Sequence, residues 1–309
     1  MSTHQWGYLS AVVSYVCGGL FPLYLRLLRP SSALEILAHR IVWSSIFLVG
    51  IISVGRTWRR LRSLLRPRTL GYLTVASVLI AVNWGTYIYG VSSQRVVETS
   101  LGSYMVPLAT VLLGVVVLRE QLGVGQWVAM ALAGVAVVVL TIDYGHIPVV
   151  ALVIAGTLAL YGLVKKRVQL PATDGMALES ALLVLPAAGF LVVLAWHNQA
   201  TFGHVSTLHT VLMVASGGVN AALLLTYVGA ANRIPLSAMG LLHYLAPTIQ
   251  LGCAVLILGE PLPRERLVGF GLVWVALAVF LADGIRRART ASRRADRDLA
   301  TSPPALPRA

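Results

Sequence analysis

At 309 residues, with 57% hydrophobic and only 11% charged side chains, the chain is too apolar for a soluble globule, which carries about 25% charged residues. A mean hydropathy of +0.80 and apolar runs of roughly 20 residues, each able to cross about 30 Å of hydrocarbon, place it among integral membrane proteins. Its formal charge of +13 lies between these runs rather than on faces that interleave basic and aromatic residues, which argues against a nucleic-acid partner.

Ten helical spans are expected, at about 5–25, 33–54, 69–90, 96–118, 122–141, 147–164, 176–195, 207–229, 236–258 and 265–285. The shortest, 147–164, closes on Lys165-Lys166-Arg167. Alternating β-barrel patterning is absent, so the fold class is all-α integral membrane. The start of the chain lacks a basic leader and a small-residue cleavage site, and is read as the first span rather than a signal peptide. Cys17 and Cys253 fall inside apolar runs, without disulfide or metal spacing.

Orientation follows from the basic residues between spans. With a cytoplasmic N-terminus, eighteen Lys and Arg fall on the inner side and five on the outer, while Arg40 lies within a span. Both termini are therefore expected in the cytoplasm. Residues 286–309, basic and then rich in Pro and small residues, read as a disordered tail whose arginines lie against anionic lipid headgroups.

The sequence repeats itself. "SYMVPLATVLLGVVVLRE" at 103–120 aligns with "HYLAPTIQLGCAVLILGE" at 243–260, matching Tyr104 to Tyr244, Pro107 to Pro247, Leu118 to Leu258 and Glu120 to Glu260. A looser match sets the "ALE" of 33–35 on that of 177–179. Two copies, 1–145 and 146–285, would each hold five spans, so the second enters the membrane inverted relative to the first. Many secondary transporters are built this way, with the solute site near the midplane between the halves.

Further stretches carry a resemblance. "LEILAHRIVWS", "NWGTYIYG" (83–90), "ETSLGSYMVPL" (98–108), "LYGLVKKR" (160–167), "GMALESALLVLP" (175–186) and "HYLAPT" (243–248) resemble, in order and spacing, the RarD branch of the EamA family, within the drug/metabolite transporter superfamily. The resemblance implies ten helices in two inverted five-helix repeats, a bacterial inner-membrane location, and transport of small organic solutes. The branch name is tied to chloramphenicol sensitivity and brings no settled substrate. One departure is Gly18-Gly19 ahead of Pro22, where the family tends to place a Trp before the Gly.

Several residues could line a solute path. Pro107 and Pro247 each remove an amide donor inside a helix and free a carbonyl one turn earlier, beside Tyr104 and Tyr244. His243 stands where the first copy has Ser103, and can hydrogen-bond a solute or handle a proton. Asn83 and Tyr87, four apart, share one helical face; they form either a cavity wall or an interhelical hydrogen bond with interfacial aromatics. Glu98 and Glu179, near the starts of the fourth and seventh spans, are candidates for accepting a proton or a cation, or for stabilising a helix start. Glu120 and Glu260 are read as caps or anchors of the helix that follows each.

"ALEILAHRIVWSS" (33–45) places Glu35, His39 and Arg40 in one apolar run. Ser32 and Glu35 form a capping-box pattern, which gives Glu35 a structural role. His39 and Arg40 lie deeper, where an unpaired Arg costs at least about 3 kcal/mol. Leu183 and Val184 occupy their places in the second copy, so the fold can be built without them. Both are therefore candidates for the path, Arg40 for an anionic group or a carboxylate partner.

No phosphate-binding loop or clustered zinc-type ligand motif is present, so neither ATP hydrolysis nor membrane-enzyme chemistry is expected, and no cofactor or metal. The reading is a secondary transporter of small organic solutes working by alternating access and driven by a proton or solute gradient. A channel or a non-transport interaction protein is the alternative; the solute, direction, coupling ion and oligomeric state stay open. On the charge count, a fluorescent protein fused after Ala309 should fluoresce, while alkaline phosphatase fused there should be inactive. The opposite pair of results would invert the orientation.

Overall fold

A computed structural model describes residues 3–55, 66–119, 124–168, 172–231, 242–264, 266–280 and 282–283, with isolated positions between these stretches. Glu120 and the tail at 286–309 lie outside the described residues. Among the described residues ten helices follow in order: α1 Thr3–Leu27, α2 Ala33–Gly55, α3 Pro67–Ser92, α4 Val96–Leu118, α5 Val124–Tyr144, α6 Val149–Val168, α7 Ala172–Trp196, α8 Thr207–Ala231, α9 Leu245–Gly252 and α10 Arg266–Phe280. A π-helical turn, Cys253–Ile257, extends α9. Among the described residues, α1 to α5 and α7 are long and apolar enough to cross a membrane; the apolar stretches of α6, α8, α9 and α10 are shorter. The protein is thus a multi-pass, all-helical membrane protein.

The helices start where local chemistry allows. Arg66 is extended and Pro67 opens α3, its missing amide falling where no intrahelical partner exists. Ser32 Oγ accepts the Glu35 N–H at 3.2 Å, which forms one half of the expected capping box at α2. The Glu35 carboxylate does not return to Ser32. It reaches across to the loop after α7, where Oε1 accepts Thr201 N–H at 2.7 Å and Phe202 N–H at 3.2 Å.

By its contacts the chain forms two compact units, one from Met1–Leu113 and Pro148–Leu262, the other from Gly114–Ile147 and Pro263–Ala309. In the first, α1 packs on α3, α8 and α9; α2 packs on α3, α7 and α8; and α3 packs on α6 and α7. The first half of α2 is buried around nearly its whole circumference, from Glu35 to Ile41. Its second half turns Ile46, Phe47, Val49 and Val54 outward, which suits a helix whose solvent is hydrocarbon. In the second unit α5 lies close to α10, with Arg266 Nε on Asp143 Oδ2 at 2.8 Å.

Small residues set the closest approaches. A Cβ added at Gly217 of α8 would lie 2.5 Å from the Ser44 backbone nitrogen of α2. One added at Gly19 of α1 would lie 2.9 Å from the Ala246 carbonyl of α9. Such contacts bring backbones together where apolar side chains gain nothing by leaving lipid.

Within the first unit, buried carboxylates hold the amides of other helices at one end. Glu98 Oε1 accepts Val150 N–H of α6 at 2.9 Å. Glu260 takes two, Val96 N–H at 2.7 Å and Val97 N–H at 2.8 Å, at the start of α4. Gly259, at φ 70°, turns the chain so that Glu260 can reach them. Glu260 therefore anchors α4, not the helix after it as its place in the sequence suggests.

Gly217→Val should cost about 2 kcal/mol or more through overpacking against backbone, read as a lower unfolding temperature in a thermal melt. Gly50→Ala, where an added Cβ meets nothing within 4 Å, should be near neutral in the same assay. Glu260→Ala should cost about 1–3 kcal/mol and speed hydrogen exchange at the Val96 and Val97 amides, seen by mass spectrometry.

Candidate functional site

Arg40 sits on the buried face of α2, roughly 10 Å along the axis from the start of the helix. It is 8% exposed. Its Cζ lies 4.8 Å from the centroid of Phe21 on α1 and 4.6 Å from that of Trp84 on α3. Nη2 donates to Asn220 Oδ1 of α8 at 2.6 Å. Asn220 Nδ2 in turn donates to Ser44 Oγ at 3.1 Å, and Ser44 reaches the Gly217 carbonyl at 3.4 Å. Three helices thus place two rings and one amide on a single guanidinium. Cation–π contact with desolvated rings contributes about 2 kcal/mol and a hydrogen bond to a charged group about 1.5–3 kcal/mol, enough to hold the cation in place. No carboxylate pairs with Arg40 among the described residues, so of the two partners expected for it, the protein supplies no acid. Its Nε is buried without a hydrogen-bond partner.

Tyr87 is close to Arg40 and to Gln250 of α9. Its hydroxyl and the Gln250 Oε1 are both buried without a hydrogen bond of ordinary geometry. His39 faces away from this group and stacks on Phe202, centroids 4.5 Å apart. Asn83 also diverges from Tyr87: its Nδ2 donates to the Ile154 carbonyl at 2.9 Å and to Thr157 Oγ1 at 3.0 Å, joining α3 to α6. Of the pair four residues apart, one serves helix packing and the other faces the guanidinium.

Toward the opposite end from the Glu35, Glu98 and Glu260 anchors, Glu179 of α7 meets Lys165 of α6. Lys165 Nζ lies 2.7 Å from Glu179 Oε1, and the Tyr161 hydroxyl donates to Oε2 at 3.0 Å. A cavity lies between this ion pair and the arginine cluster, lined by Ile41, Ser44, Trp84, Tyr161, Glu179 and Ser180 among others. Trp84 and Ser44 face both the cavity and the Arg40 group.

The positions paired between the two similar sequence stretches, 103–120 and 243–260, meet elsewhere. Tyr104 of α4 stacks on Tyr244 beside α9, centroids 6.4 Å apart and planes 14° from parallel. Tyr104 Oη is 2.6 Å from Thr248 Oγ1, and Ser100 Oγ donates to the Pro247 carbonyl at 2.7 Å. Pro107 lies inside α4, one turn beyond Tyr104. His243 packs edge-on against Tyr15 of α1 at 5.6 Å and Tyr244 at 6.2 Å. This aromatic seam ties α1, α4 and α9 together, apart from the arginine group.

Lys165, Tyr161, Asn220 and Gln250 join the sites although the sequence did not single them out. Asn220 carried a readable signal, a lone amide in "GGVNAALLL", of the kind that marks Asn83. Lys165 carried a misleading one, since it opens a basic triplet that fits the topology count.

Comparison with known proteins agrees with this architecture. Residues 5–142 match the model of the EamA-like transporter family. The chain is 45% identical to Protein RarD of Streptomyces exfoliatus, over 93% of this chain and 92% of that protein. It is 39% identical to the uncharacterized transporter YojE of Bacillus subtilis (strain 168), over 89% and 93% respectively. A protein of known crystal structure, 16% identical, covers 92% of this chain and 98% of its own with a TM-score of 0.57, a likeness of fold alone. With a buried cation, a cavity and an ion pair inside an apolar helix bundle, and with relatives of this identity over nearly its whole length, the chain is a membrane transporter of the EamA family, in its RarD branch.

Proposed function

We propose that this chain is a secondary transporter that moves a small organic solute, a metabolite or drug, by alternating access in the bacterial inner membrane, with both termini cytoplasmic and a proton or solute gradient as the drive. The cavity bounded by Trp84, Ser44, Tyr161 and Glu179 carries the reading. It lies below a buried arginine at one side and meets the Lys165–Glu179 pair at the other, while Glu35, Glu98 and Glu260 hold helix and loop amides at the far end. Helix and loop amides tied at one end, with this cavity toward the other, support the reading of one conformer of an alternating-access cycle. Glu179 is the coupling candidate the geometry favours, because it faces the cavity. Glu98 has both its position and its hydrogen bond committed to α6. The basic tail at 286–309 is proposed to rest on anionic headgroups.

Proteoliposomes holding the purified chain should show saturable, gradient-dependent flux of a small organic solute, measured by uptake of radiolabelled compounds. Glu179→Gln should slow flux at least about tenfold if the carboxylate exchanges its partner during the cycle. Linear, unsaturable flux would make the protein a channel instead.

A further inference from the structure

We infer that Arg40 is the recognition point for the carboxylate of the transported solute, and that the solute class is small organic acids. The inference rests on the transporter reading above and names the chemistry of its site. Three other basic groups among the described residues have an acid within reach: Lys165 has Glu179 at 2.7 Å, Arg95 has Glu98 at 4.0 Å, and Arg266 has Asp143 at 2.8 Å; Arg29, exposed, donates to the Ser92 carbonyl at 3.0 Å. Arg40, more deeply buried than any of these, has an amide and two rings.

Those partners hold a guanidinium without neutralising it. Phe21, Trp84 and Asn220 bring no net charge, so a full positive charge stays uncompensated in a low-dielectric surrounding, where attraction for an anion is strong. The arrangement also selects for shape. Rings take up the π approach, and Asn220 takes one Nη2 proton, leaving the Nε–H with no acceptor. A planar carboxylate matches an approach along the edge of the guanidinium, through parallel N–H···O bonds. Tyr87 and Gln250, within reach of each other, stand close by: the Tyr87 hydroxyl can turn its proton to the same anion, and Gln250 Oε1 can accept from a hydroxyl or amino group elsewhere on the solute. The shared walls Trp84 and Ser44 join this cluster to the cavity. A repeat that places Leu183 and Val184 where His39 and Arg40 stand agrees with a role in recognition rather than in building the fold.

The test uses the full chain in lipid nanodiscs, with tryptophan fluorescence and thermal melts as readouts. Probes are the acid–amide pairs acetate/acetamide and benzoate/benzamide, with inorganic sulfate as a tetrahedral anion. Each acid should bind at least about tenfold more tightly than its amide and raise the unfolding temperature, and sulfate should be the weaker anion. Arg40→Gln should erase the acid's advantage. Asn220→Asp provides the second variant, because it supplies an internal carboxylate to Arg40 and should abolish the advantage while keeping the bundle folded. An acid-to-amide ratio near one in the unaltered chain overturns the assignment, as does an advantage that survives Asn220→Asp. Tighter binding of sulfate than of either acid overturns the commitment to carboxylates. The two readings fail separately. Acids that bind through Arg40 yet never cross proteoliposomes would sink the transporter reading alone; saturable flux of a neutral solute that ignores both substitutions would sink this assignment alone.

Discussion

Hydrocarbon offers no hydrogen bonds, so a backbone amide buried away from water must find its partner inside the protein. Much of the first unit follows from that constraint. Val96, Val97, Val150, Thr201 and Phe202 all present N–H groups at one end of the bundle, and buried carboxylates accept them. An acid spent this way joins two segments far apart in sequence, so the chemistry that satisfies the backbone also sets which helices are neighbours. Glu35 ties α2 to the loop after α7, Glu98 ties α4 to α6, and Glu260 ties the end of α9 to α4. Charge that would otherwise be a burden in lipid thereby becomes the means of closing the bundle.

Against this background the arginine stands out by contrast. The acids are matched to partial positive charges on amides or to whole cations, and the Lys165–Glu179 and Asp143–Arg266 pairs are matched to each other. Arg40 is surrounded by groups that stabilise a cation through polarisable rings and a dipole. Such surroundings tolerate the charge and leave its field intact. Between tolerance and neutralisation lies room for a partner from outside the chain.

Architecture was readable in the sequence, because span length and the absence of charge are properties of contiguous residues. Eight of the expected spans, from 5–25 to 207–229, begin and end within a few residues of α1 to α8, and even the short span at 147–164 matches the short apolar stretch of α6. The prominence of Arg40 was readable too, since an arginine in an apolar run has no local excuse. Its partners were not. Phe21, Trp84 and Asn220 come from α1, α3 and α8, and nothing local to any of them says which cation it will meet. The capping pattern at Ser32 and Glu35 shows the same limit: the local half forms, whereas the carboxylate prefers amides 166 and 167 residues away. Asn83 and Tyr87 illustrate it again, sharing a face by spacing yet turning to different neighbours.

Gly217 has a mechanical meaning beyond close packing. At Gly217 the α8 backbone meets the backbone of Trp43 and Ser44, so at that point no side chain lies between α2 and α8, and the Arg40–Asn220–Ser44 hydrogen bonds join the same two helices alongside. In the proposed alternating-access cycle, Arg40, Ser44, Asn220 and Gly217 would travel as one block, and the sliding surfaces would lie elsewhere, along α1, α3 or α7. Phe21 and Trp84 sit on two of those helices, so the two rings would leave or regain the guanidinium as the block moves past them. In that cycle the aromatic clamp would serve as a latch, gripping an arginine paired with the proposed carboxylate differently from a bare one.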